Sequence, residues 1–170
     1  MRRIVLLAGV LALVVVLAGA TLAASAKLDR PSTTKAVEQV IDASRKTVWN
    51  ALIDLDAYDE WNPYVTRARG EIVIGSDLEL VLSPPGEELR EATVELLTAT
   101  GRKLRWEDRL LLPGLRDQEV TFRVFEVSDE RSRLVVAVRS EGLLSPWADL
   151  EPTRRGLERM AAALARRVEG

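Results

Sequence analysis

The chain contains no cysteine and no histidine. The first absence excludes a disulfide framework, thiolate metal sites and a cysteine nucleophile. The second removes the side chain most used for proton transfer near neutral pH, which is also the commonest metal ligand. Histidine triads and histidine-bound zinc are therefore excluded. Aromatic residues make up only 5% of the chain, and four of the eight, Trp49, Tyr58, Trp61 and Tyr64, fall within residues 44–64. Basic residues are scattered among acidic ones, so no concentrated positive field exists to displace counterions, and no nucleic-acid partner is expected.

With 170 residues the chain suffices for one domain with a sizeable core. Its first 26 residues stand apart. Met1-Arg2-Arg3 is a short basic start, and Ile4 to Ala24 then runs without a charge. Leu and Val dominate its first part, and small residues follow, ending in Ala24-Ser25-Ala26. Residues 1–26 are expected to be either a signal peptide, cut after Ala26, or an N-terminal transmembrane anchor, since the run is long enough to span a bilayer. Both place the arginines in the cytoplasm and export the domain to the non-cytoplasmic side of the membrane. Arg2 and Arg3 are the only charges in this leader, so residues 27–170 carry 22 basic and 26 acidic side chains. Residues 27–34, with Pro31 and small polar side chains, read as a linker to a domain at 35–170.

That domain opens on an alternating stretch, Lys35 to Asp42, with Val37, Gln39 and Ile41 on one face. SRKTVWNALIDLDAYDEWNPY follows, from Ser44 to Tyr64. Ser44 can cap a helix whose apolar stripe is Val48, Ala51, Leu52 and Leu55, with Trp49 and Ile53 beside it. Arg45 and Lys46 at its start and Asp54 and Asp56 at its end oppose the helix dipole, so packing must hold it. Asp56 to Trp61 can form a second short helix, which Pro63 ends. Strand patterns come next: Glu71 to Gly75, Asp77 to Ser83, Arg90 to Thr100, Arg102 to Leu112, Asp117 to Val127 and Arg131 to Glu141. The turn signals between them are spaced as in an antiparallel meander. Each strand has one apolar face, so one side of the sheet needs a cover. Ala148 to Val168 supplies it as a long helix, with Thr153, Leu157, Met160, Ala161, Leu164 and Val168 at helical spacing. Gly156 weakens this helix mildly and permits close approach. The expected fold is α+β.

Strand, helix, aromatic turn, strands and terminal helix together resemble the SRPBCC superfamily, which includes START-like and polyketide cyclase/dehydrase-like domains. The resemblance rests on an ordered series. Ile41-Asp42-Ala43-Ser44 leads into Val48-Trp49-Asn50-Ala51-Leu52, then Asp54, Tyr58 and Trp61-Asn62-Pro63-Tyr64. Gly75, Leu78, Pro84-Pro85-Gly86, Leu104-Arg105-Trp106, Pro113-Gly114-Leu115, Phe122 and Glu141-Gly142 follow. It spans residues 35–168 and implies a helix-grip fold: a curved antiparallel β-sheet wrapped around a long C-terminal helix, with two short helices after the first strand. It also implies an apolar cavity for a small hydrophobic ligand, lipid-, isoprenoid- or polyketide-like. Two features depart from the family pattern: the leader, which places the domain outside the cytoplasm, and the missing histidine, which argues against carrying over acid–base catalysis.

The cavity-wall candidates are Leu52, Trp61, Leu78, Leu80, Val94, Trp106, Phe122, Leu157 and Met160, with the C-terminal helix or the Pro84-Pro85-Gly86 loop as a gate. Asn62 and Pro63 read chiefly as a structural turn. Arg105, Glu119, Arg139 and Glu141 are expected on the solvated face, and any that pointed inward would orient a polar ligand head. Glu107 and Asp108 are adjacent, hence on opposite strand faces, and do not form a glycosidase-type pair. A non-catalytic binder or carrier is the leading reading. A cyclase or dehydratase using Asp, Glu, Tyr58 or Tyr64 is the alternative, and a filled core serving as an interaction module is a third. No metal and no cofactor are expected, and the domain is expected to be monomeric. Its partners are then the ligand and, with an uncleaved leader, the membrane.

Overall fold

A computed structural model describes residues 30–109 and 113–170. The leader, with both readings of it, lies outside these residues, as do positions 27–29 of the expected linker and the end of the strand expected to reach Leu112. Ser32–Gly170 forms one compact unit.

Strand β1 (Ser32–Ile41) is followed by helix α1 (Arg45–Ile53), a tight turn at Leu55–Ala57 and the short helix α2 (Tyr58–Trp61). Six strands come next: β2 (Val65–Arg69), β3 (Asp77–Leu82), β4 (Arg90–Ala99), β5 (Lys103–Arg109), β6 (Asp117–Ser128) and β7 (Arg131–Glu141). A turn at Ser145–Trp147 leads to the long helix α3 (Glu151–Glu169). The strands form one antiparallel sheet in the order β1-β7-β6-β5-β4-β3-β2. The sheet is curled into a half-barrel against α3, the helix-grip arrangement.

Alternation in the sequence decides the faces. Leu78, Leu80 and Leu82 of β3, Ala92, Val94 and Leu96 of β4, and Leu104 and Trp106 of β5 are all buried. Val120, Phe122 and Val124 of β6 lie opposite Val138, Val136 and Leu134 of β7, extending the same apolar face. Helix α3 answers with Leu157, Met160, Ala161 and Leu164. Ser44 caps α1 as expected, its hydroxyl accepting from the Thr47 amide at 3.1 Å. No acidic residue sits in the first turn of α1 and no basic one in its last, so the burial of Val48, Trp49 and Leu52 is what holds it.

Two expectations need correcting. Residues 71–75 are not a strand: the Ser76 hydroxyl donates to the Glu71 and Val73 carbonyls, each at 2.7 Å, and closes a loop with Val73 and Ile74 exposed. The strand lies earlier, at β2, where the register shifts between Val65 and Arg67 and only Val65 and Ala68 are buried. The linker is also shorter than expected, because Ser32 to Thr34 already pair with Glu141 to Arg139 of β7. Among the described residues no helix is long and apolar enough to cross a membrane.

Candidate functional site

The interior beneath α3 is largely apolar, with Ser132 buried at the start of β7, and its polar groups gather at the other end, where β3 and β5 finish and β4 and β6 begin. Phase accounts for this gathering. Asp108 follows Leu104 and Trp106 on the inward face of β5, and Gln118 precedes Val120 on that of β6. Asp108 stands opposite Gln118, Gln118 opposite Ser140 of β7, and Ser140 opposite Thr33 of β1. A polar row thus crosses four strands on the inner face. It is buried: Asp108 is 9% exposed, Gln118 5% and Ser140 0%. At its outer end the Arg90 guanidinium donates to Asp108 Oδ2 at 2.9 Å. The Ser140 hydroxyl has no hydrogen-bond partner among the described residues.

Tyr64 closes the row from the side. Asn62 holds it there, its Oδ1 accepting from the Tyr64 amide at 3.0 Å and from the Val65 amide at 2.9 Å. That is the structural part expected of the Asn-Pro turn. The ring of Tyr64 lies against α3 at Gly156, where a Cβ would stand 2.2 Å from the ring. Burial pushes the Tyr64 phenol above its ordinary pKa, while Thr153 and the Arg90 charge pull it partly back. The phenol therefore stays protonated at neutral pH.

Tyr64, Leu80, Leu82, Arg90, Val94, Trp106, Asp108, Gln118 and Val120 surround a cavity of about 20 Å³. That is room for one water molecule. Larger concavities of about 340 and 570 Å³ lie on the outer face of β2–β4 and beside the β6–β7 turn. Charged and polar side chains such as Arg67, Glu79 and Glu91, or Asp42, Asp129 and Arg131, line them, and they are not places for an apolar ligand.

Among the wall residues expected from the sequence, Leu80, Val94 and Trp106 line this cavity. Trp106 packs on Phe122 with ring centroids 4.9 Å apart. Leu52, Leu78, Phe122, Leu157 and Met160 are buried in the surrounding core. Trp61 is half-buried at its margin, edge-on to Tyr58 at 5.1 Å. Tyr58 itself is consumed by structure: its hydroxyl donates to the Leu52 carbonyl at 2.6 Å. Arg105 pairs with Glu119 at 3.4 Å and Arg139 with Glu141 at 3.0 Å, away from the row. None of these four turns inward. The polar groups gathered at this end of the interior are instead Arg90, Asp108, Gln118, Ser140 and Tyr64. The signal available for Asp108 and Gln118 was their place in phase with an apolar strand face. Among the described residues no group of three carboxylates is placed to hold a metal ion.

Residues 33–169 match the protein family described as polyketide cyclase / dehydrase and lipid transport. The chain belongs to that family. The resemblance to the SRPBCC superfamily carried by the Trp61-Asn62-Pro63 series is thereby established. No curated protein sequence matches this family member significantly. Solved structures share its fold. A START superfamily protein from Mycobacterium smegmatis is 22% identical, with 83% of this chain and 98% of that one covered and a TM-score of 0.61. The Zhui aromatase/cyclase from Streptomyces sp. R1128 is 18% identical, with 82% and 94% covered and a TM-score of 0.60. Norcoclaurine synthase from Thalictrum flavum, solved with dopamine and hydroxybenzaldehyde, is 14% identical, with 83% and 88% covered and a TM-score of 0.62. At these identities the likeness is one of fold.

Proposed function

We propose that the protein binds a small, largely apolar ligand with one hydrogen-bonding head, in the interior between the sheet and α3. The ligand class is lipid-, isoprenoid- or polyketide-like, and the domain works as a carrier or reservoir outside the cytoplasm. The carrying observation is the polar row on the inner face, and above all the fully buried, unpartnered Ser140 hydroxyl beside Gln118. A buried hydroxyl without a partner costs about 1–3 kcal/mol; Ser132 carries the same cost elsewhere, and what sets Ser140 apart is its place beside Gln118 in the polar row. A ligand head seated between Gln118 and Ser140 would supply the missing partner. Membership of a family that includes lipid transport proteins supports the same reading.

Ligand pockets usually hold about 300–1,000 Å³, against the 20 Å³ present here. Binding therefore requires opening. The ring of Tyr64 is the element to move, since it fills the space beneath Gly156 that a ligand body would take. Movement of the first turns of α3, whose Arg155 donates to the Pro85 carbonyl at 3.5 Å, would accompany it. The apolar body is then stabilised by leaving water, at roughly 25 cal/mol per Å² buried.

The test is native mass spectrometry of the purified protein, as isolated and after incubation with long-chain fatty acids, isoprenoid alcohols and aromatic polyketides. A one-to-one adduct is expected. Ser140→Ala should weaken it about tenfold, and Tyr64→Ala should strengthen it. Failure of every class to bind wild type and Tyr64→Ala alike would sink the proposal and leave a filled core. A second reading, acid–base catalysis of the cyclase or dehydratase kind, is favoured by Tyr64 and Asp108 sharing one cavity wall. It demands product turnover that Tyr64→Phe and Asp108→Asn abolish while binding survives.

A further inference from the structure

The polar row marks one end of the grip, and the loops at that end carry an apolar rim. The segment after β7 exposes Trp147 at 78% and Leu143 at 65%, with Leu144 partly exposed beside them. Leu89, 67% exposed, closes the β3–β4 loop at the same end. Single exposed apolar residues are ordinary, but three from one short segment, with a fourth on another loop at the same end of the sheet, are not. Nor is the segment a frayed one. The Leu143 and Leu144 amides donate to the carbonyls of Gly114 and Leu115 at 3.3 and 3.0 Å, and the Trp147 amide donates to Leu144 at 3.2 Å. Gly142, at φ +123°, lies so close to Leu115 that a Cβ would stand 2.7 Å from its carbonyl oxygen. The tryptophan is therefore held out into solvent by a built turn.

The chain itself indicates what meets this rim. Strand β1 begins here, with Ser32 opposite Glu141 and the Thr33 hydroxyl donating to the Ser145 carbonyl at 3.4 Å. Everything before Ser32 is thus joined to the domain at the Trp147 end. Ile4 to Ala24 is uncharged, and only residues 25–31 separate it from β1. Seven extended residues span at most roughly 25 Å. If residues 4–24 lie in a bilayer, the Trp147 end stays within that distance of its surface.

We infer that Trp147, Leu143, Leu144 and Leu89 form a membrane-contacting rim that seats this end of the domain on a lipid bilayer surface, with the Trp147 indole in the interfacial zone. Indole rings prefer that zone because one edge is apolar and the N–H finds a hydrogen-bond partner there. The rim faces the bilayer with the same end that carries the polar row, so an apolar molecule leaving the membrane meets the interior without crossing water. The inference stands apart from the ligand proposal, since it concerns contact with lipid whether or not the interior binds anything.

The test uses the full chain reconstituted into phosphatidylcholine vesicles whose acyl chains are plain or brominated, bromine being a short-range quencher of indole emission. The chain has four tryptophans, and none precedes Trp49, so the signal reports on the domain alone. Trp49 and Trp106 are buried and Trp61 is half-buried, which leaves Trp147 as the residue within reach. Brominated lipid should remove roughly the share of one tryptophan in four from wild-type emission. In Trp147→Phe that loss should vanish while the circular dichroism stays unchanged, as befits a surface position. No quenching in the wild type, or equal quenching in Trp147→Phe, overturns the inference. So does a dimer in wild-type protein that Trp147→Phe dissolves without any lipid quenching, because the rim is then covered by a second copy of the chain.

Discussion

Gly156→Ala is the substitution with the most to say about this interior. In an exposed helix, glycine to alanine gains about 1 kcal/mol from propensity. Here the new methyl carbon would stand 2.2, 2.5 and 2.8 Å from Cδ2, Cε2 and Cγ of the Tyr64 ring. Carbon–carbon contacts sit near 3.5–4.0 Å, so ring and helix must part by more than 1 Å. If the helix lifts, overpacking costs about 1–3 kcal/mol. If the ring leaves, it gives up the burial of a large side chain, again about 3 kcal/mol. With the propensity gain subtracted, the net loss is about 2 kcal/mol, or roughly 6 °C in Tm for a domain of this size. Urea titration followed by tryptophan emission measures it, with an unchanged m-value as the check on two-state behaviour. The decisive comparison is the double-mutant cycle. In a Tyr64→Ala background the obstacle is gone, and Gly156→Ala should stabilise by about 1 kcal/mol, giving a coupling of about 3 kcal/mol. A Gly156→Ala protein more stable than wild type would refute the packing of Tyr64 on α3, and with it the ring's part as the plug of the interior.

Other outcomes follow from the same structure. Asn62→Ala leaves the buried Tyr64 and Val65 amides without their acceptor and should cost about 2–3 kcal/mol by urea titration. Ser132, fully buried with an unpartnered hydroxyl away from the cavity, should tolerate Ser132→Ala with a gain of about 1 kcal/mol. Ser140→Ala should give a similar gain in the empty protein but lose ligand affinity, a split that two melting curves with and without ligand will show. Alkaline titration has a definite sign. Tyr58 is raised far above its ordinary value of 10.0 by burial and then by the Asp54 charge, and Tyr64 is raised chiefly by burial. The unfolded chain releases these protons near pH 10 and the folded protein does not. Stability is therefore complete below pH 10 and falls as pH rises towards the folded values, by about 1 kcal/mol per pH unit for each tyrosine. Absorbance at 295 nm should show both phenols ionising only with unfolding, and a reversible step for either near pH 10 in folded protein would contradict its burial.

The fold was largely legible because most elements obey one period throughout. Leu78-Leu80-Leu82 and Leu134-Val136-Val138 alternate without a break, and each became a buried strand face. The β2 strand escaped because Val65-Thr66-Arg67-Ala68-Arg69 breaks its alternation at a register shift. The apolar pair Val73-Ile74, with a better strand composition, is turned out to solvent by the Ser76 bonds. The candidate site was less legible. An apolar pattern marks Leu80, Val94 and Trp106 as interior, but polar residues at the ends of strands usually mean that the face has reached solvent. Nothing local says that the fold continues past Asp108 and Gln118 with Tyr64, Ser140 and the start of α3. That depends on Tyr64 crossing from the turn after α2 to Gly156, 92 residues away in sequence. Gly156 was recognised as a point of close approach; its partner was not.

The placement of β1 bears on how the molecule is assembled in time. Among the described residues its sole neighbour in the sheet is β7, with Ser32 opposite Glu141 and Ile41 opposite Ser132. Among the described strands, the first to leave the ribosome must therefore wait for the last. Until then Val37 and Ile41 lack the strand they pair beside, while β3 to β6 can zip together through short hairpins. Folding should be slow and late in its final step, as such long loop closures dictate. A chain halted before β7 presents an unpaired, partly apolar strand as its foremost hazard.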